Sequence, residues 1–417
     1  MTARPLRISQ LTNEYPPHVY GGAGVHIEYL ARELAAAEGG AHQVQVLCFG
    51  EQHSADGNLH VQGVAPPVDL PTRDPRHARL LDALVRDLAM VGAVDAPDIV
   101  HCHTWYSHLA GVLARPLTGA RLVLTTHSLE PHRPWKVEQL GTAYDVTTWI
   151  EGTAYRNADG VVAVSAAMKE DVQNLYGVDP DRVRVIHNGI DPDEYRPRHD
   201  PDVLSALGID PEIPILLFVG RITRQKGILH LVRAIRHLRP GIQVVLCAGA
   251  PDTPEIGAEM AALVDEVKRD ATVPVIWVPE MLDRERIITL YSHAAVFVCP
   301  SVYEPFGIIN LEAMACETPV VASAVGGIPE IVVPGETGIL VPIEAEGGGS
   351  VEPADPEAFS RALADAVNGL MDDPDRRAAM GRAARSRVEA HFSWRAIAQQ
   401  TLTFYRDLLE GPGRADP

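Results

Sequence analysis

Two glutamates in the C-terminal half have types and a spacing that suit sugar chemistry. Glu304 lies in a turn after a short apolar run, and Glu312 follows eight residues later in a segment with helical spacing. A strand, turn and helix in this order present free backbone N–H groups at the helix start, where an anion binds favourably. An acid beside such a site suits the recognition of sugar or ribose hydroxyls. The alternative is that Glu304 caps the helix and Glu312 lies on a solvated face.

Two basic residues flank another turn, the segment GRITRQKG at residues 220–227. Arg221 and Lys226 are spaced to place two cations over one helix start, which suits a diphosphate leaving group. Guanidinium forms a forked contact with phosphate and ammonium acts as a point charge. A transferase that uses no metal needs such cations to stabilise the departing nucleotide. The alternative is a solvated basic turn, and we assign Arg224 to the surface.

A glycine loop and a histidine follow two predicted strands in the N-terminal half. Gly21–Gly24 leads into a helix, so a phosphate is favoured there. Neither a G-x-G-x-x-G nor a P-loop lysine motif occurs, which counts against a dinucleotide enzyme or an NTPase. His127 ends a strand, although a lone histidine is more often structural than catalytic. His101 and His103 share one strand face, but no third ligand is near in sequence, so we predict no zinc site.

Short β-rich runs alternate with amphipathic stretches along the chain, which implies parallel strands joined by crossover helices. The alternation stops in the proline-rich passage 187–214 and then restarts. The sequence therefore predicts two doubly wound, Rossmann-like α/β domains with their loops facing a central cleft. Predicted strands are 6–11, 44–49, 99–103, 122–126, 161–164, 183–186, 215–219, 244–248, 275–278, 295–299, 320–323 and 339–341, and predicted helices include 25–37, 78–91, 135–157, 308–316 and 393–410.

Composition limits the function classes. The 417 residues carry 36 Lys and Arg against 55 Asp and Glu, so the net charge is 36 − 55 = −19. This acidity argues against a general nucleic-acid or anionic-membrane binder. No secretory signal and no membrane-spanning run is visible. The five cysteines lack C-x-x-C spacing, which indicates buried thiols in a cytoplasmic protein. We expect a flexible loop at 346–350 and disorder after Gly411.

The Glu304-x7-Glu312 pattern, with Pro-Phe-Gly inside it and Gly-Gly-Ile-Pro-Glu downstream, resembles the signature of retaining glycosyltransferases of the GT-B fold. The resemblance covers nearly the whole chain. More narrowly, the chain looks like the family of glycogen synthase-like and phosphatidylinositol mannosyltransferase-like enzymes. This resemblance implies an acceptor-side domain over residues 1–195 and a nucleotide-sugar-binding domain over 196–392. It also implies a final helix over 393–410 that packs back on the first domain.

The resemblance also implies roles for single residues. Arg221 and Lys226 match the family's diphosphate-binding pair, Glu304 would hold sugar hydroxyls, and Glu312 would hold the nucleotide ribose. No cofactor and no metal is implied, and no residue is a secure nucleophile, so a front-face route is expected in which the leaving phosphate helps to deprotonate the acceptor. The implied catalytic residues are His127, Glu304, Arg221 and Lys226, and the implied donor-binding residues are Gly21, Gly22, Phe306, Gly307, Ile308, Ile309 and Glu312.

The stretch from His127 to Leu140 is especially close to actinobacterial glycogen synthase-like proteins. Some of those extend glycogen, and others use glucose 1-phosphate to make α-maltose 1-phosphate. We therefore expect a retaining glucosyltransferase that uses ADP-glucose, or UDP-glucose, and forms an α-1,4 linkage on glucose 1-phosphate or an α-glucan. A GT-B-type nucleotide-sugar epimerase and a transferase of another acceptor class are the alternatives. The sequence does not determine the nucleotide base of the donor or the oligomeric state, for which a homodimer is one option.

We predict glucose 1-phosphate as the preferred acceptor. Arg133 and Lys136 lie beside Trp135 in an otherwise acidic protein, and an acceptor phosphate needs local positive charge. In addition, Thr104 replaces the acid that is usual in glycogen synthases. The alternative is that the two cations pair with the nearby carboxylates of Glu130 and Glu138 on the surface.

Overall fold

A computed structural model describes residues 4–347 and 350–411, and it divides the chain into two compact units. The first unit comprises the residues up to Gly189 together with those from Trp394 onward, and the second comprises Ile190–Ser393. Residues 190–195, which the sequence prediction placed in the first domain, belong to the second unit. The tail predicted to be disordered, residues 412–417, lies outside the described residues.

The first unit contains an eight-stranded sheet in the order β3-β4-β2-β1-β5-β6-β7-β8. All neighbouring strands are parallel except β3, which pairs with β4 in an antiparallel hairpin. The β5 strand is buried along its whole length, as expected for a parallel strand covered on both faces. The strands are β1 Arg7–Leu11, β2 Gln43–Phe49, β3 His53–Asp56, β4 Leu59–Val64, β5 Ile99–His103, β6 Arg121–Thr126, β7 Gly160–Ala163 and β8 Val183–Val185.

The second unit contains a six-stranded, entirely parallel sheet in the order β11-β10-β9-β12-β13-β14. Both units confirm the predicted α/β fold class. Part of the predicted 346–350 loop forms a short hairpin instead, and residues 348–349 lie outside the described residues. The strands are β9 Ile215–Arg221, β10 Gln243–Gly249, β11 Val275–Val278, β12 Ala294–Cys299, β13 Val320–Ser323, β14 Gly338–Val341, β15 Ala345–Gly347 and β16 Ser350–Pro353.

Helices connect the strands of both sheets. In chain order they are α1 Gly22–Gly40, α2 Ala78–Ala93, α3 His108–Thr118, α4 Val137–Leu140, α5 Ala143–Asn157, α6 Ala166–Tyr176, α7 Pro201–Ala206, α8 Ile228–Ala234, α9 Pro254–Asp270, α10 Arg284–His293, α11 Ile308–Ala315, α12 Ile328–Ile331, α13 Pro356–Met371, α14 Pro374–His391 and α15 Trp394–Glu410. None of the helices among the described residues has the length and apolar character needed to cross a membrane.

Three details of the helices matter for the site. The single helix predicted over 135–157 is wrong, because Gly141 (φ +55°) separates α4 from α5. The last helix, α15, packs on α1 within the first unit, where the rings of Tyr29 and Trp394 stack with centroids 5.6 Å apart. The α1 helix keeps helical dihedral angles only up to Ala36, since Ala37 adopts ψ 148°.

The α14 helix supports the end of α11 through a close backbone approach. Gly381 in α14 faces the residue Glu317 just after α11, and a Cβ atom at Gly381 would overlap the Glu317 carbonyl oxygen. Arg385, one turn further along α14, donates to the carbonyl oxygen of Ala315, the last residue of α11. The position of α11 therefore depends on a glycine in a neighbouring helix.

We predict opposite results for the same substitution at two helical glycines of the second unit. Gly381→Ala should destabilise the protein by about 1–3 kcal/mol, because the added methyl group meets backbone that cannot rotate away. Gly369→Ala in α13 meets no atom within 4 Å and should be neutral or stabilising by up to about 1 kcal/mol. Urea denaturation of both variants checks this. Equal midpoints for the two variants would contradict the close approach.

Candidate active site

The turn after β9 and the turn after β12 meet through their backbones in the second unit. Gly227 adopts φ +61°, and a Cβ there would overlap the Pro300 carbonyl oxygen, so only glycine fits. The Val302 N–H donates to the Gln225 carbonyl oxygen at 3.0 Å. These contacts bring the basic turn and the acidic turn, which are more than seventy residues apart in sequence, to one place.

Lys226 and Glu304 form an ion pair at this junction. The Lys226 Nζ lies 2.7 Å from Glu304 Oε2, and the Ser301 hydroxyl donates to the same oxygen at 3.0 Å. Both side chains are largely buried, with 16% and 8% of their surface exposed. Removing one partner of such a pair leaves an uncompensated buried charge. Since Gly307 is the N-cap residue of α11, the contacts do not support the alternative that Glu304 is a helix cap.

The Gly326-Gly327 turn holds Glu304 from its other side. The Gly327 N–H donates to the Glu304 carbonyl oxygen at 3.0 Å. Gly326 adopts φ +53°, and a Cβ there would overlap the same carbonyl oxygen. The Gly-Gly turn that follows β13 thus fixes the backbone from which the Glu304 carboxylate extends. A glycine pair after a strand was the signal in the sequence, although its function as a support was not foreseen.

Arg221 ends β9 and pairs with a carboxylate that sequence reasoning missed. Its Nη1 lies 2.7 Å from Asp252 Oδ1, and the Asp252 side chain is 9% exposed. Arg221 aligns with Gly249 at the end of β10, so the segment Gly-Ala-Pro-Asp that follows β10 reaches the guanidinium. Asp252 orients the guanidinium, a forked donor whose geometry suits phosphate oxygens. An acid just after a neighbouring strand could have been recognised as its partner.

Glu312 is buried inside α11, and the alternative that it lies on a solvated face is wrong. Its two oxygens accept hydrogen bonds from the Tyr291 hydroxyl at 2.9 Å and the Tyr195 hydroxyl at 3.3 Å. Burial raises the pKa of Glu312, and the two hydroxyl donors counteract that shift. Sequence reasoning missed both tyrosines, because each lies on a separate element. The ribose-binding role of Glu312 stays a prediction.

The other predicted donor-binding residues of this unit surround the start of α11. Gly307 adopts φ +104° and precedes the first helical residue, Ile308. Phe306 is buried and lies 6.1 Å, between ring centroids, from Phe392. Ile308 is buried and Ile309 is partly exposed in the first turn of the helix. The sequence therefore located this helix start correctly, and its N-cap residue lies beside Glu304, since a Cβ atom at Gly307 would lie 3.2 Å from Glu304 Cγ.

In the first unit, His127 belongs to a cluster of imidazoles. Its Nε2 lies 3.0 Å from Nδ1 of His103, and its ring centroid is 4.7 Å from that of His26 in α1. Nitrogens of the three rings lie within 4.8 Å of one another. The prediction of no zinc site rested on the lack of a third ligand near in sequence; the fold brings His26, which is distant in sequence, to His103 and His127, and the prediction stays untested. Burial lowers the pKa of His26 to about 4 and that of His103 and His127 well below the usual value.

The glycine loop of the first unit contacts an acid of its own chain. The Glu14 Oε2 accepts hydrogen bonds from the N–H groups of Tyr20 and Gly21, both at 2.8 Å. Gly21 is the N-cap residue of α1, and Gly22 is its first residue. A carboxylate at a helix start is favourable, because it neutralises the partial positive charge there. Sequence reasoning expected a phosphate of the donor at this loop and did not consider Glu14.

The predicted acceptor cations have partners within the loop after His127. Arg133 donates to the Ser128 hydroxyl at 3.2 Å and to Glu130 Oε1 at 3.3 Å. Lys136 Nζ lies 3.0 Å from Gln139 Oε1, and Trp135 between them is half-buried. The pairing of Arg133 with Glu130 was the alternative foreseen from the sequence. However, Glu130 is buried and not on the surface.

Further contacts anchor this loop and the preceding strand end. The Glu130 N–H donates to the buried Glu151 carboxylate at 3.0 Å, and burial together with the charge of Glu130 raises the pKa of Glu151 to about 8. Thr104, the residue that replaces the acid usual in glycogen synthases, adopts φ +65° and donates to Asn13 Oδ1 at 2.9 Å. A threonine in the left-handed region stores backbone strain, which is common at functional sites.

Each of the two units matches a known glycosyltransferase family model. Residues 20–194 match the model "Glycosyltransferase Family 4" and residues 202–387 match "Glycosyl transferases group 1". The α-maltose-1-phosphate synthase of Mycolicibacterium smegmatis is 50% identical over 405 residues, which cover 96% of this chain and 99% of that protein. The glycogen synthase of Mycobacterium tuberculosis is 30% identical over 446 residues, covering 99% and 97%.

Among solved structures, sucrose-phosphate synthase from Thermosynechococcus elongatus matches with a TM-score of 0.75 at 28% identity, covering 97% of this chain and 99% of that one. The full-length match shows that both units, and not one domain alone, share this architecture. The chain therefore belongs to the GT-B glycosyltransferase family that contains the α-maltose-1-phosphate synthases, and it is a hexosyltransferase.

Proposed function

We propose that the protein is a retaining glucosyltransferase that transfers glucose from ADP-glucose to glucose 1-phosphate and forms α-maltose 1-phosphate. In this reaction the bond between C1 of the donor glucose and the diphosphate oxygen breaks. The O4 atom of the acceptor forms the new α-1,4 bond to C1. The proton of that hydroxyl passes to the leaving diphosphate, and ADP departs. The proposal needs no metal and no cofactor.

The donor half of the proposal is supported by the junction in the second unit. Lys226, Arg221 and the N–H groups at the start of α11 are positive groups of a kind that stabilises a departing diphosphate. They are held by carboxylates and glycine contacts before any substrate binds, so little reorganisation is needed. Glu304 would accept hydrogen bonds from sugar hydroxyls, and Glu312 would hold the ribose.

The acceptor half rests on one observation, the identity of 50% with an α-maltose-1-phosphate synthase over nearly both chains. The identity with the glycogen synthase is 30% over a similar length. In the first unit, His127 would contact the donor sugar or the acceptor near the anomeric centre. Lys136 and Trp135 would contact the acceptor directly. Arg133 would support this loop through its ion pair with Glu130.

A second candidate function is the extension of an α-glucan such as glycogen. The ion pair between Arg133 and the buried Glu130 favours it, because a guanidinium that already pairs with a carboxylate attracts a phosphate less strongly. A neutral glucan does not need this cation, and it binds through stacking surfaces and hydroxyl partners instead.

Product analysis distinguishes the two functions. The enzyme is incubated with ADP-glucose or UDP-glucose and with either glucose 1-phosphate or glycogen, and NMR identifies the products and the anomeric configuration. We expect α-maltose 1-phosphate from ADP-glucose, with the highest kcat/KM for that pair. A far higher kcat/KM for glycogen would overturn the phosphate acceptor and establish the second candidate. A β-linked product would overturn retention.

Replacing either cation of the basic turn should impair turnover while the fold remains intact. Lys226→Ala and Arg221→Ala should each cost roughly 3–4 kcal/mol of transition-state stabilisation, since each removes a preorganised charge from the leaving group. Steady-state kinetics gives this value, and thermal denaturation checks folding. Arg224→Ala is the matched control, because Arg224 lies in the same turn with an exposed side chain. A folded double variant with nearly wild-type turnover would exclude the diphosphate role.

The two glutamates should differ in what their loss changes. Glu304→Gln should lower kcat more than it weakens ADP binding, because the amide offers sugar hydroxyls no charged acceptor, and a charged hydrogen bond is roughly twice as strong as a neutral one. Glu312→Gln should mainly weaken ADP binding. Isothermal titration with ADP and steady-state kinetics measure the two effects. The reverse pattern would show that the roles are exchanged.

A further inference from the structure

A chain of buried hydrogen bonds runs from α15 through the first sheet to His127. The Gln10 side chain in β1 contacts the Tyr405 hydroxyl through Nε2 at 3.2 Å and His103 Nε2 through Oε1 at 2.5 Å. His103 Nδ1 then contacts His127 Nε2 at 3.0 Å. A branch leads from the Tyr405 hydroxyl to His101 Nδ1 at 2.6 Å. Gln10, His101, His103 and Tyr405 are completely buried.

The orientation of the Gln10 amide sets the direction of the bonds that lead to His103 and His127. Its oxygen can only accept, so the proton of neutral His103 lies on Nε2. His103 Nδ1 then carries a lone pair and accepts from His127, which places the His127 proton on Nε2. On the branch, the Gln10 amide donates to the Tyr405 oxygen, and the Tyr405 hydroxyl in turn contacts His101 Nδ1. One orientation of one buried amide thus satisfies each donor and acceptor along the chain.

His127 Nδ1 is the atom left over by this assignment. Among the described residues this atom has no hydrogen-bond partner. The His127 side chain is partly exposed, whereas Gln10, His103 and Tyr405 are buried. A neutral imidazole with its proton on Nε2 offers only a lone pair at Nδ1. Its partner on a substrate must therefore be a hydrogen-bond donor, which a sugar hydroxyl is and a phosphate oxygen is not.

We propose that Gln10 and His103 are positioning residues that hold His127 as the Nε2–H tautomer, so that His127 Nδ1 accepts a hydrogen bond from a sugar hydroxyl. The tautomer follows from the Gln10 amide oxygen facing His103 Nε2, whereas the sugar hydroxyl as partner rests on the proposed glucosyltransferase function. The C-terminal helix takes part, because the Tyr405 hydroxyl accepts the hydrogen bond that Gln10 Nε2 donates.

A metal ion bound by the three imidazoles is the rival explanation of this cluster. His26 Nδ1 lies 2.6 Å from the Asn188 amide oxygen and must donate to it. His26 Nε2, which is buried and has no partner among the residues that the structure describes, therefore faces the other two rings as a lone pair. A metal held by His127 Nε2 would require the His127 proton on Nδ1. The two explanations therefore predict opposite tautomers of His127.

Long-range proton–nitrogen correlation spectra of the full-length protein, labelled with ¹⁵N-histidine, show which ring nitrogen carries the proton. Comparison with His127→Asn assigns the signals of His127. We expect its proton on Nε2 in the wild-type protein without substrate. A proton on Nδ1, or one equivalent of zinc in the purified protein by elemental analysis, would overturn the proposal. Because no substrate is present, these results do not depend on which sugar donor or acceptor the enzyme uses.

Gln10→Leu tests the positioning role directly. Leucine removes the acceptor that keeps the proton on His103 Nε2, so we expect the His127 signals to show the Nδ1–H tautomer or a mixture. The kcat should fall roughly tenfold, the effect of one neutral hydrogen bond, with less change in the KM for the nucleotide sugar. Ser9→Ala is the matched control, since Ser9 is the neighbouring β1 residue and its hydroxyl bonds to Gln45 instead.

The control should keep both the wild-type tautomer and the wild-type kcat. Unchanged His127 signals in folded Gln10→Leu would overturn the positioning role, even if its turnover falls. If Gln10→Leu does not fold, the wild-type spectrum alone still decides the tautomer. A wild-type protein with the Nε2–H tautomer but no glucosyl transfer would contradict the proposed function and leave the positioning of His127 intact.

Discussion

The close approach of backbone to backbone around Glu304 is the constraint on which the second unit's site depends. Gly227 lies against the Pro300 carbonyl, and Gly326 lies against the Glu304 carbonyl, so backbone contacts hold the acidic turn from both sides. The side chains of Lys226 and Glu304 are consequently left to pair with each other or with a ligand. The glycines allow this close approach because they lack a Cβ atom and readily adopt a positive φ angle. Rigid support of charged groups is what electrostatic stabilisation of a leaving group requires.

Local sequence predicted the sheets and the residues of the acidic turn well. Buried parallel strands appear as short runs of apolar residues. The predicted strands 99–103, 275–278 and 320–323 have the same bounds as β5, β11 and β13. Glu304 and Glu312 were found because their spacing is local to one turn and one helix. The β3–β4 hairpin was missed because β3 is exposed along its whole length and shows no alternation. Its Gly57-Asn58 turn was a usable signal.

Partners that come from distant parts of the chain could not be predicted. Asp252 and Tyr195 reach the site of the second unit from distant segments, and His26 reaches the imidazole cluster of the first unit from α1. Their residue types alone are unremarkable in a chain with 55 acidic residues and 17 histidines. The direction of a hydrogen-bond chain is even less accessible, because it depends on which atom of one buried amide faces which ring. Tertiary structure therefore decides whether a histidine offers a proton or a lone pair, while the sequence only shows that a histidine is present.

The Glu14 carboxylate at the start of α1 has a thermodynamic consequence for any anion that reaches the glycine loop. The N–H groups of Tyr20 and Gly21 already bind a negative charge, so an arriving phosphate would exchange with that carboxylate and not add to it. The free energy gained is then the difference between the binding free energies of the two anions at the start of α1. This difference is smaller than the binding free energy of either anion alone. Exchange of this kind keeps affinity for a product phosphate low, because the resident carboxylate returns as the product leaves. An anion that exchanged with Glu14 in this way would be held weakly at the start of α1 and would be released readily.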